Sequence, residues 1–310
     1  MNLNSYVSMA RPNHWFKNLF IFAGAIFAYA EIRPPLANIP LDMLIGFIST
    51  CLVASANYII NEVLDADYDK HHPTKKQRAA VSQDIVVPIA YGLYAVLLVL
   101  GILLGFLLVN VQFGITVSTL AVCGILYNVP PIRLKERVYV DVLFESFNNV
   151  LRLFLGWVVV APFIVPPASL VIAFWLAGAF LMAAKRYAEY RYIGDPERAA
   201  LYRRSFRFYT EKKLLLSAFF FANTFPFFFG IFLYKYKPEF ILLFPLFSIL
   251  FTCYLSLAML PESPAQNPQS LYKEKTLNII LLVIVSSMVA LSFVDIPSIE
   301  LLLKSTSYSN

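Results

Sequence analysis

The chain has 310 residues, 59% hydrophobic and 14% charged, with a mean hydropathy of +0.67 and a formal charge of +6. A soluble domain of this length carries about 25% charged residues, so a soluble globular fold is excluded. Nucleic acid is not an expected partner either, because the distribution of the bases has a topological explanation.

Runs of about 20 apolar residues can cross a ~30 Å hydrocarbon core. Nine are predicted: 16–32, 41–60, 87–109, 112–128, 140–164, 167–184, 214–234, 239–260 and 277–294. The expected fold is an all-α polytopic membrane protein, a single domain over 1–310. The first run leads straight into further spans, and no small-residue cleavage site follows it, so no cleavable signal peptide is expected. Cys51, Cys123 and Cys253 lie in separate runs without a CxxC pair, which suits buried packing rather than a metal or disulfide framework. The distance from Asn61 to Lys185 is four spans, which suggests two similar four-helix units and a last helix.

The second run ends in Asn61-Glu62-Val-Leu-Asp65-Ala-Asp67-Tyr-Asp69-Lys-His71-His72. On a helix, Asn61, Asp65 and Asp69 share a face. Stacked like charges destabilise a helix unless a cation intervenes. A hard divalent cation, Mg²⁺, answers this with Asn61, Glu62, Asp65 and Asp69 as candidate ligands; the bland alternative is a solvated acidic helix end. Lys75 and Arg78 follow closely enough to grip phosphates, or to serve as a positive-inside anchor. His71 and His72 read as polar loop residues, since oxygen-rich neighbours favour Mg²⁺ over Zn²⁺.

After the fourth run, Tyr127-Asn128-Val-Pro130-Pro131-Ile-Arg133-Leu-Lys135 breaks the helix and aims a basic loop along the membrane surface. Arg152 then stands inside the fifth run, and an intramembrane arginine is a functional candidate. The sixth run ends in Lys185-Arg186-Tyr187-Ala-Glu189, followed by Tyr202-Arg203-Arg204. Arginine for bidentate contacts and lysine as a point charge suit a phosphorylated ligand, although anionic membrane lipids would also attract such arginines.

The N-terminus and the loops joining even to odd runs hold 20 of the 25 Lys and Arg. Arg33, Lys235, Lys237 and Lys304 fall on the opposite side. The basic side is therefore expected in the cytoplasm.

These segments resemble the UbiA superfamily of intramembrane prenyltransferases over nearly the whole chain. That family's Asn-Asp-x-x-Asp-x-x-x-Asp motif is similar to Asn61 through Asp69, with Glu62 in place of the usual Asp, and its Tyr-Ser-x-Pro-Pro-x-Arg-Leu-Lys segment to Tyr127 through Lys135. A narrower likeness is to the decaprenyl-phosphate phosphoribosyltransferases. It rests on Arg11-Pro-Asn-His-Trp-Phe-Lys17-Asn18, on Asp69 through Arg78, and on Lys185 through Glu189 with Arg203-Arg204-Ser205-Phe-x-x-Tyr209-Thr210.

The resemblance implies nine helices around a central cavity in a bacterial inner membrane, with the site facing the cytoplasm. It implies phosphoribosyl diphosphate as donor and a polyprenyl phosphate as acceptor. Asp65, Asp69, Lys185 and Glu189 are the catalytic candidates. Lys17, Asn61, Lys75, Arg78, Tyr127, Lys135, Arg152, Arg186, Tyr187, Arg203 and Arg204 are the candidates for binding substrate. Two other readings remain: prenyl transfer from a polyprenyl diphosphate to an aromatic or other small acceptor, and a non-catalytic transporter or scaffold. A homo-oligomer is left open.

The charge asymmetry makes a direct prediction. Cysteines placed at Ser82 and Ala199 should resist a membrane-impermeant thiol reagent in intact cells. Labelling of both from outside would reverse the topology.

Overall fold

The computed structural model describes residues 3–82, 85–266 and 268–303, so Lys304 lies outside the described residues. Among them are nine helical stretches long and apolar enough to cross a membrane, and no strand. Two short helical segments, Leu3–Ala10 and Pro12–Leu19, lead into α1 (Phe20–Ile32). The other long helices are α2 (Ile39–Asp69), α3 (Val87–Leu104), α4 (Val111–Asn128), α5 (Val140–Val160), α6 (Ala168–Ile193), α7 (Glu211–Tyr236), α8 (Phe244–Ala258) and α9 (Lys275–Ser292). Every predicted run has its helix.

The main differences are at the ends of α2 and α6. Apolar content stops near residues 60 and 184, yet the helices continue to Asp69 and Ile193. Their charged last turns persist because cations from other segments neutralise the acids. Gly194, at φ 71, then turns the chain out of α6.

The helices close on themselves. α2 packs on α3 and α4, α5 lies between α4 and α6, α6 carries α7 and α8, and α9 reaches back from α8 to α1. One buried core joins Phe27, Trp157, Phe225, Phe229 and Phe232; another joins Ile21, Val53, Phe113, Leu120 and Leu155. Val99, Leu107, Phe219, Phe227 and Leu282 point outward. That surface suits hydrocarbon, and the chain is an integral membrane protein.

α1 and α5 pack backbone against backbone. A Cβ on Gly24 would lie 1.9 Å from the Leu153 carbonyl oxygen, and one on Gly156 would lie 1.7 Å from that of Ile21. Only hydrogen fits at either position. The close packing lets Asn18, just before α1, reach Arg152 in the middle of α5. The acidic ends of α2 and α6 emerge at one end of the bundle, together with the loop through the cis Pro130–Pro131 bond. Ala199 is fully buried there, so its exposed neighbour Glu197 is the better position for a labelled cysteine.

Gly156→Ala should destabilise the protein by about 1–3 kcal/mol through overpacking, seen as a lower melting midpoint in detergent. Gly230→Ala, where nothing lies within 4 Å of the added Cβ, should leave it unchanged. Equal midpoints for the two variants would contradict the tight α1–α5 contact.

Candidate active site

The site is built from paired charges. Asn61, Asp65 and Asp69 lie on one face of α2, as their spacing requires. Asp65 Oδ1 accepts hydrogen bonds from Arg133 Nη2 at 2.7 Å and Lys135 Nζ at 2.5 Å. Arg133 reaches back because its backbone takes a left-handed turn, φ 34, just after the two prolines. Asn61 Nδ2 donates to Asp65 Oδ2 at 3.0 Å and to Asn128 Oδ1 at 2.6 Å. Asp69, 2% exposed, is held by Arg78.

Glu62 departs from the expected metal set. One residue past Asn61 is about 100° around the helix, and Glu62 is buried against Arg11 at 2.7 Å. Asp65 and Asp69 instead line a common narrow cleft with Tyr68, Lys135 and Arg203. Among the described residues no three His, Cys, Asp or Glu side chains form a metal cluster. Two carboxylates opening onto one cleft still fit a hard cation that takes its remaining ligands from water and phosphate. They do not fit a closed zinc site.

The second constellation centres on Arg186, which is 1% exposed. It faces Asp141 at 3.4 Å and Glu189 at 3.1 Å, and it also pairs with Glu145. Glu145 further accepts from Lys185 Nζ at 3.0 Å and from the Tyr127 hydroxyl at 2.9 Å. Glu189 accepts from the Tyr202 hydroxyl at 2.9 Å and from Lys75. Lys75 thereby ties the loop after α2 to α6 and joins the two constellations. The sequence expectation places Arg186 on substrate; in the fold three carboxylates already surround it. Tyr187 also departs from expectation. It packs with Tyr202, Phe206 and Tyr209, and its hydroxyl accepts from Arg191.

His72, read from sequence as a polar loop residue, is 2% exposed. Burial and the Lys75 charge hold its pKa at about 3, so the ring is neutral. Its Nδ1 accepts the backbone N–H groups of Thr74 and Lys75 at 3.2 and 3.3 Å, which fixes the turn that presents Lys75. Nε2 then carries the proton and faces Glu189 at 3.7 Å, beyond hydrogen-bond reach. Asp141, Glu145 and His72 are the residues of this cluster that the sequence reading does not single out as candidates. Two acids one turn apart inside an apolar run were the available signal for the first two.

Further into the membrane, Arg152 is 7% exposed. It donates to Asn18 Oδ1 at 2.8 Å, to the Asn148 carbonyl at 3.0 Å and to Asn149 Oδ1 at 3.3 Å. Lys17, half-buried, lies 3.4 Å from His14 Nδ1 and over the Tyr58 ring. Among the described residues neither Lys17 nor Arg152 makes an ion pair.

A profile of the UbiA prenyltransferase family matches residues 18–282. The chain is 27% identical to the decaprenyl-phosphate phosphoribosyltransferase of Mycolicibacterium smegmatis over 188 residues, 60% of this chain and 57% of that protein. It is 28% identical to the protein of that name from Mycobacterium tuberculosis over 211 residues, 67% of each. The first of these matches spans little more than half of the relative's length. A solved UbiA homolog from Archaeoglobus fulgidus, bound to DMAPP and Mg²⁺, shares the fold with a TM-score of 0.71 at 17% identity, covering 96% of this chain and 99% of that one.

Burial, chiefly, brings the Lys135 pKa down from its ordinary 10.5 to about 8, while Asp65 opposes the shift. Lys135 is therefore charged below pH 8 and loses its charge above it. Affinity of the cleft for inorganic pyrophosphate should fall as pH rises from 7 to 9, and Lys135→Arg should abolish that fall. A pH-independent affinity in the native protein would contradict this assignment.

Proposed function

The chain belongs to the UbiA prenyltransferase family, and we propose that within it this protein transfers the 5-phosphoribosyl group of phosphoribosyl diphosphate to a polyprenyl phosphate, releasing diphosphate. The observation that carries this reading is the separation of two sets of cations. Arg78, Arg133 and Lys135 pair with the acids of the cleft, whereas among the described residues Lys17 and Arg152 make no ion pair. A buried charge without a counter-ion is costly. An anionic second substrate whose tail lies in the membrane supplies the missing partner. The name carried by the phosphoribosyltransferase relatives agrees with this choice.

In this reading Asp65 and Asp69 would hold Mg²⁺. When bound there, the ion supplies Lewis-acid charge to the leaving diphosphate and a template for its orientation. Arg133 and Lys135 leave Asp65, and Arg78 leaves Asp69, to take diphosphate oxygens. Asn61 and Asn128 keep Asp65 and Lys135 in register. Arg186, fixed by Asp141, Glu145 and Glu189, holds Lys75 and Lys185 at the edge of the site through shared carboxylates. Preorganised cations of this kind stabilise charge as it develops. The C1–O bond to diphosphate breaks with its electron pair, and C1 bonds to a lipid phosphate oxygen. That oxygen is already anionic at neutral pH, so no general base is required. Lys17 and Arg152 position the lipid phosphate, and the hydrocarbon around α1 and α5 keeps water away. The basic end of the bundle faces the cytoplasm.

A second reading is prenyl transfer from a polyprenyl diphosphate to an aromatic acid, whose carboxylate would occupy Arg152. The discriminating experiment offers the purified protein labelled phosphoribosyl diphosphate with a polyprenyl phosphate, or a polyprenyl diphosphate with an aromatic acid. Phosphoribosyl lipid is expected from the first pair. Product from the second pair alone would replace this reading with the other.

Turnover should require a divalent cation. Asp65→Asn and Asp69→Asn should each abolish it while the protein stays helical and monodisperse in detergent; full turnover in excess EDTA would refute the metal assignment. Arg152→Gln and Lys17→Gln should each raise the half-saturating acceptor concentration about ten- to a hundredfold, the effect of losing one charged hydrogen bond, and leave that of the donor little changed. An effect on the donor alone would remove the acceptor assignment.

A further inference from the structure

Beyond the narrow cleft lies a second cavity of roughly 530 Å³ that the proposed mechanism does not use. Two segments far apart in sequence form it, 131–137 after α4 and 204–208 before α7. Four arginines line it, Arg133, Arg137, Arg204 and Arg207, with one acid, Glu136. Arg133 and Arg204 already share that carboxylate, at 2.6 and 3.1 Å. Among the described residues, Arg137 and Arg207 make no ion pair. Arginines that only anchor a protein to a membrane surface have no reason to converge on one concavity. These do, and they leave it with an unbalanced positive charge.

The two cavities share a wall, because Arg133, Glu136 and Arg204 also line the cleft of Asp65 and Asp69. Arg133 is itself 8% exposed and is fixed on Asp65 and Glu136. Two anion cradles therefore stand side by side with one common partition. Phosphoribosyl diphosphate has the matching form: a diphosphate on C1 and a phosphate monoester on C5, one sugar ring apart.

We propose that the outer cavity binds the 5-phosphate of the donor through Arg137, Arg204 and Arg207 while its diphosphate occupies the cleft. This rests on the phosphoribosyl reading and assigns that donor's second anionic end. The fork of each guanidinium matches phosphate oxygens in pairs. The same arginines select against a polyprenyl diphosphate, which would bring hydrocarbon where Arg137 and Arg207 offer charge.

The test uses purified full-length protein and calorimetry with five probes: ribose 5-phosphate, pyrophosphate with Mg²⁺, geranyl phosphate, geranyl diphosphate and phosphoribosyl diphosphate. The double variant Arg137→Gln, Arg207→Gln is compared with the native protein. Ribose 5-phosphate and phosphoribosyl diphosphate should bind about tenfold or more weakly to it, as expected for lost charged hydrogen bonds, with pyrophosphate little affected. Unchanged ribose 5-phosphate binding overturns the proposal. An equal loss for pyrophosphate overturns it too, because the arginines would then act only as a diffuse field. Selective loss of geranyl phosphate would make the cavity a lipid headgroup site instead. A native protein that binds geranyl diphosphate but neither ribose compound would fail one step earlier, at the phosphoribosyl reading itself.

Discussion

Everything at the basic end of the bundle depends on neutralising buried carboxylates. Asp65, Asp69, Asp141, Glu145 and Glu189 lie at or near the ends of membrane helices, where an unpaired charge costs several kcal/mol. Each is met by a cation, and most of these cations come from a different segment: Arg133 and Lys135 from the loop after α4, Arg78 and Lys75 from the loop after α2, Arg186 from α6. The ion pairs thus hold α2, α5, α6 and both loops in one arrangement. They also explain why α2 and α6 remain helical beyond their apolar stretches.

A site whose charges are balanced internally is also a site that can exchange partners. The cations released from Asp65 and Asp69 are the groups a diphosphate needs, and the released carboxylates are the ligands a hard metal needs. In this account the substrate replaces ion pairs already present, and little charge is newly buried. Lys17 and Arg152 differ, because among the described residues neither has an ion pair to give up. In the proposed reading that contrast is the reason to give them a separate anion.

The helices were legible in the sequence because nine apolar runs are a strong signal. The α2 motif was legible because Asn61, Asp65 and Asp69 repeat every fourth residue. The pairing was not. Lys75 meets Glu189 across 114 residues and Arg133 meets Asp65 across 68, and no local spacing encodes such contacts. Glu62 shows the limit of counting acids without their helical angle: it belongs to the motif by position and to Arg11 by geometry. Glu145 and Asp141 stand inside a run that is otherwise apolar, as Arg152 does a few turns later, and the hydropathy of the run hides them. His72 looked like a loop residue, and only the fold shows it buried with its ring nitrogen organising the Lys75 turn.

Partner exchange has a counterintuitive consequence that tests it directly. Removing Asp65 should free Arg133 and Lys135 for an anion. Calorimetry with inorganic pyrophosphate in excess EDTA should therefore show the Asp65→Asn protein binding about tenfold more tightly than the native one, on the scale of a charged hydrogen bond, while added Mg²⁺ no longer strengthens binding. Metal-free binding no tighter than native would contradict the exchange, and with it the claim that the ion pairs of the cleft are held in reserve for the donor and its metal.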